Sequence, residues 1–306
     1  MRKRYLTFAL AFGLFAIGCL SASERDEPRE LSAVNGDRAF EYLVQQTEFG
    51  PRAPGTPGHA QALPWLIETL GALVDTVELM HFQPIDSRGV RLPAMTNIIG
   101  RIGVDRPTRY LFCAHWDTRP RADHDPDPAR RDEPILGAND GASGIAVLLE
   151  LAHVLNNHPP DVGIDIVFFD GEDWGEEGVL EDYFLGSREY ARQRWHEPPE
   201  FGILVDMVGD RDLRIPKERI SLQAVPSLVE RVWNTAARIG ETAFVPAVGQ
   251  AVWDDHVPLI EEGWSVIDVI DFDYPYWHTH QDTPERCSAE SLASVTRVLV
   301  ALVYGY

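Results

Sequence analysis

IDIVFFDGEDWGEE, residues 164–177, passes from an almost wholly apolar stretch to a segment with five acidic side chains. The apolar half has the length and composition of a β-strand covered on both faces, the kind of strand found in parallel sheets flanked by helices. The acidic half follows the carboxyl end of that strand, and in open α/β sheets ligands bind beyond the carboxyl ends of the strands. The stretch therefore predicts a buried parallel strand with a functional site at its end.

Extended and helical patterns alternate along the rest of the chain. The extended patterns cover residues 76–82, 96–102, 109–115, 164–170, 201–208 and 264–270. The helical patterns cover residues 37–48, 58–73, 141–158, 226–239 and 288–306, and a loop rich in proline and glycine covers residues 51–59. This order predicts a single α/β domain with an open, mainly parallel (mixed) sheet and helices on both faces.

The composition is that of one large globular domain. The chain has 306 residues, of which 44% are hydrophobic and 25% charged. Its net charge of −21 at pH 7 argues against nucleic acid and anionic membrane surfaces as partners. Besides Cys19, only Cys113 and Cys287 are present, which is too few for a disulfide framework. Cys113 lies in an apolar run, which indicates a core position. We expect the protein to be a monomer.

The N-terminus has the pattern of an export signal. MRKRYLTFALAFGLFAIGC, residues 1–19, begins with basic residues and continues with an apolar stretch too short for an ordinary membrane span. AIGC resembles a bacterial lipobox, so Cys19 would become a lipidated first residue; a plain signal peptide and an uncleaved anchor are the alternatives. We predict a signal peptide at 1–18, a tether at 19–35 with a lipid anchor on Cys19, and a catalytic domain at 36–306. The protein would then be an exported, periplasmic or cell-envelope lipoprotein.

Acidic and histidine side chains follow several predicted strands and precede one predicted helix. The candidates for a shared site are His115, Asp140, Asp173, Asp206 and His278. Carboxylates gathered at one apolar edge repel one another unless some are protonated or a cation neutralises them. A mixture of imidazole and carboxylate favours zinc in a catalytic site over calcium or magnesium. The sequence therefore predicts a metal site at this edge.

Each candidate also has a simpler interpretation when it is taken alone. The acids after the strand could form a solvated loop, and His115 could be a core histidine bonded to backbone. Asp140 could be only the N-cap of the helix that follows, Asp206 could cap a turn, and His278 could be a surface aromatic residue. Their joint occurrence at successive strand ends is what these interpretations leave unexplained.

Eight segments, in this order, resemble those of the animal-type glutaminyl cyclases and of their relatives, the co-catalytic zinc exoaminopeptidases. They are PRAPGTPGH (51–59), CAHWDT (113–118), GANDGASG (137–144), FFDGEDW (168–174), YFLGS (183–187), LVDMVGD (204–210), WDDHVPL (253–259) and YWHTHQDT (276–283). The resemblance covers about residues 40 to 306, almost the whole chain after the export signal. It implies a zinc aminopeptidase-like α/β fold.

The resemblance also implies a metal site. In both branches of the family, zinc would be held by Asp140, Asp173 and His278. The peptidases would add a second zinc through His115 and Asp206, with Asp140 bridging, whereas the cyclases retain similar residues and use one zinc. Asp173 departs from the pattern, because the family more often has glutamate at this position.

Two features favour the cyclase branch. DDHVP at 254–258 resembles the DDH-x-P element of the cyclases. In that element the leading aspartate, here Asp254, takes part in a hydrogen-bond network with the residue matching Asp206. The second feature is that Trp277 directly precedes the ligand His278. Both features concern the surroundings of the metal rather than its ligands.

The resemblance implies further roles around the metal. Glu172 would be the catalytic acid and base, supported by Asp254 and Asp206. Aromatic side chains are expected to wall the substrate pocket: Trp277, Tyr274, and Trp253 or Trp174. Asp268 is a second departure, because the animal cyclases carry a histidine there.

The function that follows is cyclisation of the N-terminal glutamine of peptides or proteins to pyroglutamate, with release of ammonia. One zinc ion would act as a Lewis acid, and Glu172 would move a proton from the attacking α-amine to the departing ammonia. The first alternative is a two-zinc exoaminopeptidase that releases N-terminal amino acids. The second is a binding lipoprotein that keeps the fold without catalysis, and the joint retention of Glu172 with the three zinc ligands argues against it.

Overall fold

The computed structural model describes residues 28–193 and 198–306. The predicted signal peptide, Cys19 and the tether up to residue 27 lie outside the described residues, so these assignments stay predictions. Within the described ranges, no helix is both long enough and apolar enough to cross a membrane.

The chain enters the fold at a short helix, α1 (Arg29–Ser32), which belongs to the segment predicted as the tether. Leu31 of this helix is buried in the main core. Tyr306, the last residue, donates a hydrogen bond from its hydroxyl to Glu30 Oε2 at 2.6 Å. The prediction that the tether extends to residue 35 is therefore wrong, because its last residues pack on the domain.

The elements that follow alternate much as the sequence predicts. The longer helices are α2 (Gly36–Glu48), α3 (Pro57–Gly71), α4 (Ala142–Asn157), α7 (Pro226–Ile239) and α9 (Ala289–Tyr304). The shorter ones are α5 (Leu185–Arg192), α6 (Arg219–Ala224) and α8 (His256–Glu261). The strands are β1 (Thr76–Phe82), β2 (Met95–Ile102), β3 (Arg109–His115), β4 (Gly163–Phe169), β5 (Phe201–Asp206), β6 (Ile215–Lys217), β7 (Phe244–Val248) and β8 (Val266–Ile270).

Six of the strands form one open, mixed sheet in the order β1-β2-β4-β3-β5-β8. The pairs β4 with β3, β3 with β5, and β5 with β8 are parallel, while β2 is antiparallel to both β1 and β4. A separate parallel pair is formed by β6 and β7. The predicted α/β fold with a mainly parallel, mixed sheet is confirmed.

Side chains of β3 alternate between two apolar layers, as the period of a strand requires. Phe112 and Ala114 belong to the larger core, which also contains the buried side chains of α2, α4 and α9. Leu111 and Cys113 belong to a second core with residues of α5 and α8. Helices therefore cover both faces of the sheet, and the predicted core position of Cys113 is confirmed.

The parallel direction of β3, β4, β5 and β8 brings their carboxyl ends to one edge of the sheet. His115 is the last residue of β3, Asp206 is the last residue of β5, and Asp170 follows β4 directly. Helix α4, which connects β3 to β4, must begin at the same edge, and Asp140 lies just before it. The fold therefore collects the predicted site residues from separate segments at one place.

Candidate active site

Glu172 and Asp173 lie in a tight turn directly after β4. Gly171, which precedes them, has a φ of 75°, a left-handed conformation that favours glycine. The carboxylate of Asp117 accepts hydrogen bonds from the backbone N–H groups of Glu172 at 3.1 Å and of Asp173 at 3.3 Å. The segment after β3 therefore fixes the position of the acidic turn after β4.

Asp140 lies at the start of α4 but does not cap it. The N-cap position is Gly141, which has a φ of 99° and offers no side chain for capping. The backbone N–H groups of Asn139 and Asp140 donate to the carboxylate of Asp282 at 2.8 and 3.1 Å. Tyr274 donates its hydroxyl hydrogen to the same carboxylate at 2.7 Å. This support leaves both carboxylate oxygens of Asp140 directed at histidines.

Asp140, Asp173 and His278 form the first group of converging ligand atoms, which lie within 4.8 Å of one another. His278 Nε2 is 3.6 Å from Asp140 Oδ2 and 3.4 Å from Asp173 Oδ2. These two oxygens are buried and accept no hydrogen bond from the described residues. His278 has a φ of 55°, an uncommon conformation for a residue with a side chain, of the kind found where the surroundings impose it at functional sites.

His115, Asp140 and Asp206 form a second group of converging atoms. His115 Nε2 lies 3.1 Å from Asp206 Oδ1 and 3.3 Å from Asp140 Oδ1. Asp206 Oδ1 also accepts a hydrogen bond from the backbone N–H of Met207 at 2.8 Å. Burial lowers the pKa of His115, but the surrounding carboxylates, Asp206 first, raise it to well above its usual range. In this group His115 Nε2 is paired with carboxylate oxygens, whereas its Nδ1 has no hydrogen-bond partner among the described residues.

The first group fits zinc. Its donor set is one imidazole nitrogen and two carboxylate oxygens, and three protein ligands with an open fourth position are typical of catalytic zinc. Buried oxygens without a hydrogen-bond partner are costly, and a cation supplies the missing interaction. The structure therefore brings together the three residues predicted to hold the metal.

A cavity of about 330 Å³ opens onto this group. Its polar wall contains Glu172, Asp206 and Asp254 beside the candidate ligands. Apolar side chains from the ends of β5 and β8, among them Met207 and Ile270, form much of the rest of the wall. Such a mixture of apolar walls and a few convergent polar groups is typical of a small-ligand site.

The aromatic wall differs in part from the prediction. Trp277 lines the cavity and stacks on His278 with 3.8 Å between the ring centroids, and Trp253 lies at the mouth with 51% of its surface exposed. Tyr274 is buried and hydrogen-bonded beneath the site, so its prediction as a pocket residue is wrong. Trp174 packs against a small apolar cluster outside the cavity, whereas Trp253 lines the cavity, and a role for either in substrate binding stays a prediction.

Buried carboxyl groups surround Glu172, the residue predicted to be the catalytic acid and base. Burial and neighbouring charges raise the pKa of Glu172 well above its usual range. Burial and the charge of Asp206 do the same for Asp254, and burial raises the pKa of Asp255 to about 7. Asp268 is fully buried, neither of its oxygens has a hydrogen-bond partner in the part of the chain that the structure describes, and burial raises its pKa well above the usual range. The predicted hydrogen bond between Asp254 and Asp206 stays a prediction.

Three supporting residues were not assigned roles from the sequence. Asp117 and Asp282 both lie in segments that carry the family resemblance. Asp117 is two residues after His115, and Asp282 is four residues after His278. These positions were the signal that could have identified them. Arg119, which donates to Asp173 Oδ1 at 2.7 Å, gave no signal, because a lone arginine in a loop is usually solvated.

The open mixed sheet and the buried Asp, Asp, His group at its edge define a class of protein, the α/β enzymes with a zinc-exopeptidase fold. The model of peptidase family M28 matches residues 97–303, which is more than half of the chain. The chain belongs to this family, and it is an enzyme.

Solved structures similar to this chain include both branches of the predicted resemblance. A glutaminyl cyclase from Tannerella forsythia is 37% identical with a TM-score of 0.85, and the match covers 89% of this chain and 99% of that one. A Zn-dependent exopeptidase from Parabacteroides distasonis is 35% identical with a TM-score of 0.86 and the same coverage. The glutaminyl-peptide cyclotransferase of Drosophila melanogaster is 24% identical over 99% of this chain and 92% of its own length. The resemblance stated from the sequence is confirmed.

Proposed function

We propose that the protein cyclises the N-terminal glutamine of peptides or proteins to pyroglutamate and releases ammonia. Its similarity to glutaminyl cyclases supports this reaction. The proposal depends on a single zinc ion, held by the first group of ligand atoms, with Glu172 as the residue that moves the proton.

The difference between the two groups of ligand atoms carries the proposal. In the first group, Asp140 Oδ2 and Asp173 Oδ2 are buried and accept no hydrogen bond from the described residues, as is expected of metal ligands without their cation. In the second group, His115 Nε2 and Asp206 Oδ1 already form a hydrogen bond at 3.1 Å. A second metal would have to replace that hydrogen bond, whereas the first replaces none. The geometry therefore favours one zinc, which matches cyclisation better than two-metal hydrolysis.

The residues around the cavity suit the chemistry of cyclisation. Zinc bound to the first group would supply Lewis acidity at the side-chain carbonyl of the glutamine. Glu172 would take a proton from the α-amine as the new C–N bond forms, and would give it to the nitrogen that leaves as ammonia. Burial raises the pKa of Glu172 above the usual range of glutamate, which is the direction that favours accepting a proton.

The cavity must also hold the glutamine side chain folded back toward its own amine. The nucleophile and the carbonyl belong to the same residue, so holding this conformation supplies the effective concentration that the reaction needs. Trp277 offers a flat apolar wall directly beside His278. The partly exposed Trp253 at the mouth would meet the next residue of the peptide.

An exoaminopeptidase is the second candidate, and one observation favours it. The second group of ligand atoms is complete, and it shares Asp140 with the first group. In that reaction Glu172 would deprotonate a water molecule that cleaves the first peptide bond. The product would be a free N-terminal amino acid rather than ammonia and a cyclised peptide.

Incubation with two dipeptides separates these candidates. The purified enzyme with zinc is given Gln-Ala or Leu-Ala, and ammonia and free amino acids are measured separately. We expect ammonia from Gln-Ala and no leucine from Leu-Ala. Release of leucine without ammonia would replace the proposal by the aminopeptidase.

A further inference from the structure

Two arginines from the loop after β3 hold the acidic turn after β4. Arg121 Nη2 donates hydrogen bonds to the backbone carbonyl oxygens of Trp174, at 2.9 Å, and of Gly175. Arg119 Nη1 donates to the backbone carbonyl oxygen of Asp173 at 3.2 Å. Arg119, unlike Arg121, also donates from Nη1 to the side chain of Asp173, at Oδ1 and 2.7 Å.

Arg119 is itself held rigidly, because all its N–H donors have acceptors. Its Nε and Nη2 atoms donate to Asp123 Oδ2, the first at 2.9 Å, and Nη2 also donates to the hydroxyl of Tyr183 at 2.9 Å. The guanidinium carbon lies 5.4 Å from the centre of the Tyr183 ring, and the side chain of Arg119 is 1% exposed. A buried guanidinium is stable only when it is paired in this way. Its position beside Asp173 is therefore fixed.

The two oxygens of Asp173 consequently have different surroundings. Oδ1 accepts the hydrogen bond from Arg119, while Oδ2 has no hydrogen-bond partner in residues 28–193 and 198–306 and lies 3.4 Å from His278 Nε2. We propose that Arg119 is a positioning residue that presents Asp173 to the metal through Oδ2 alone. This inference rests on the proposed metal group, but it holds for either of the two candidate reactions.

The proposal gives Arg119 two effects on the metal. The hydrogen bond to Oδ1 keeps that oxygen from rotating toward the metal, so Asp173 contributes one oxygen. The same hydrogen bond holds the carboxylate in place before a metal binds, so no ordering of this side chain opposes metal binding. Hydrogen-bond partners of metal ligands typically change metal affinity by ~10–100-fold when they are replaced.

The test compares Arg119→Gln with Arg121→Gln in the full enzyme. Zinc affinity is measured by competition with a chromogenic chelator, and the visible spectrum is recorded after replacement of zinc by cobalt(II). For Arg119→Gln we expect zinc affinity to fall by ~10–100-fold and the cobalt spectrum to change with the coordination number. Arg121→Gln removes bonds to backbone and a long 3.8 Å ion pair with Asp123, but no hydrogen bond to the Asp173 side chain, so its zinc affinity should stay close to that of the unaltered enzyme.

The outcomes are distinct from those that test the reaction. Unchanged affinity and an unchanged cobalt spectrum in Arg119→Gln would overturn the inference. An equal loss of zinc affinity in Arg121→Gln would also overturn the inference. The position of the turn, rather than the choice of the Asp173 oxygen, would then determine zinc affinity. Failure of the unaltered enzyme to bind zinc would instead remove the proposed function.

Arg119→Lys keeps the test decisive if the glutamine variant does not fold. Lysine retains the charge but lacks the planar fork that lets arginine serve Asp173, Asp123 and Tyr183 together. We expect a folded enzyme with zinc affinity several-fold below that of the unaltered enzyme and a shifted cobalt spectrum. Affinity and spectrum equal to those of the unaltered enzyme would refute the positioning role.

Discussion

Glu172 is the residue on which the proposed reaction depends most directly. Replacement by glutamine keeps the size of the side chain but removes the ability to accept a proton, so Glu172→Gln should lower the rate of ammonia release by ~10²–10⁴-fold. Zinc content, measured by elemental analysis, should not change, because the ligands remain. Glu176→Gln, at an exposed position of the same loop, is the matched control and should keep full activity. A Glu172→Gln variant that releases ammonia as fast as the unaltered enzyme would exclude this residue as the base.

Asp268 allows a prediction about pH and stability. Its pKa in the folded protein is raised well above 3.8, first by burial and then by the charges of Asp254 and Asp206. A carboxyl group whose pKa is higher in the folded than in the unfolded protein stabilises the fold fully below about pH 4. This stabilisation is lost as the pH rises through the pKa of the folded state. Asp268→Asn removes the titration, so its melting temperature should exceed that of the unaltered enzyme at pH 8 by several degrees.

The same comparison at pH 4 provides the internal control for Asp268. At pH 4, close to the unfolded-state pKa of 3.8, most of the penalty of the raised folded-state pKa has disappeared, so the asparagine variant should show a much smaller gain in melting temperature than at pH 8. Asp105→Asn, at an exposed position, should change nothing at either pH. A gain of the same size at both pH values would show that the effect comes from packing and not from proton binding.

At the level of elements, helix α4 packs against strand β5, and each has a candidate metal ligand at its end. Asp140 lies just before α4, and Asp206 is the last residue of β5. A Cβ atom at Gly144 of α4 would lie 2.3 Å from the backbone oxygen of Val205 in β5. Alanine there would force the helix away from the strand, although helix propensity alone favours alanine over glycine. Gly144→Ala should therefore destabilise the protein by ~1–3 kcal/mol and weaken zinc binding through the displacement of Asp140.

Gly71 supplies the matched control for that substitution. It also lies in a helix, α3, but a Cβ atom there would meet only the Val77 side chain at an ordinary 3.6 Å. Gly71→Ala should leave the free energy of unfolding, measured in urea, unchanged or raise it by up to ~1 kcal/mol. Equal behaviour of the two variants would contradict the close approach of α4 to β5.

The elements with strong local signals could be predicted closely. Helix α7 occupies 226–239 as predicted, because Pro226 suits its first turn and Gly240, with a φ of 87°, ends it. The short helices α5 and α8 were not predicted, since six to eight residues give too few turns for a clear apolar period. The reversed direction of β2 could not be read from the chain either, because strand pairing depends on contacts distant in sequence.

The candidate site shows the same division between local and distant information. The resemblance named the candidate metal ligands and Glu172, and the structure brings them together around one cavity. Tyr274 was misplaced because a tyrosine near a ligand can face either the cavity or the support beneath it. Nothing in the sequence indicates that Arg119 reaches the side chain of Asp173, since that contact spans 54 residues.

At the level of the whole molecule, removal of zinc should affect stability and activity together. Prolonged dialysis against a strong chelator should abolish ammonia release, and one equivalent of zinc per chain should restore it. Without the cation, the Oδ2 atoms of Asp140 and Asp173 remain buried with no hydrogen bond from the described residues, so the melting temperature should fall. Free zinc at 1,000 times its Kd contributes about 4 kcal/mol to stability. Full activity without metal, or a requirement for two equivalents, would contradict the single-zinc proposal.

The two ends of the described chain meet on the far side of the molecule from the cavity. Tyr306 contacts Glu30, and the Tyr304 hydroxyl donates to the backbone oxygen of His158 just past the end of α4. Helix α4 has 16 residues, so this end lies about 24 Å from the ligand groups at its start. An enzyme fixed to a surface through either terminus would thus keep its entrance turned outward, where long peptides can reach it freely.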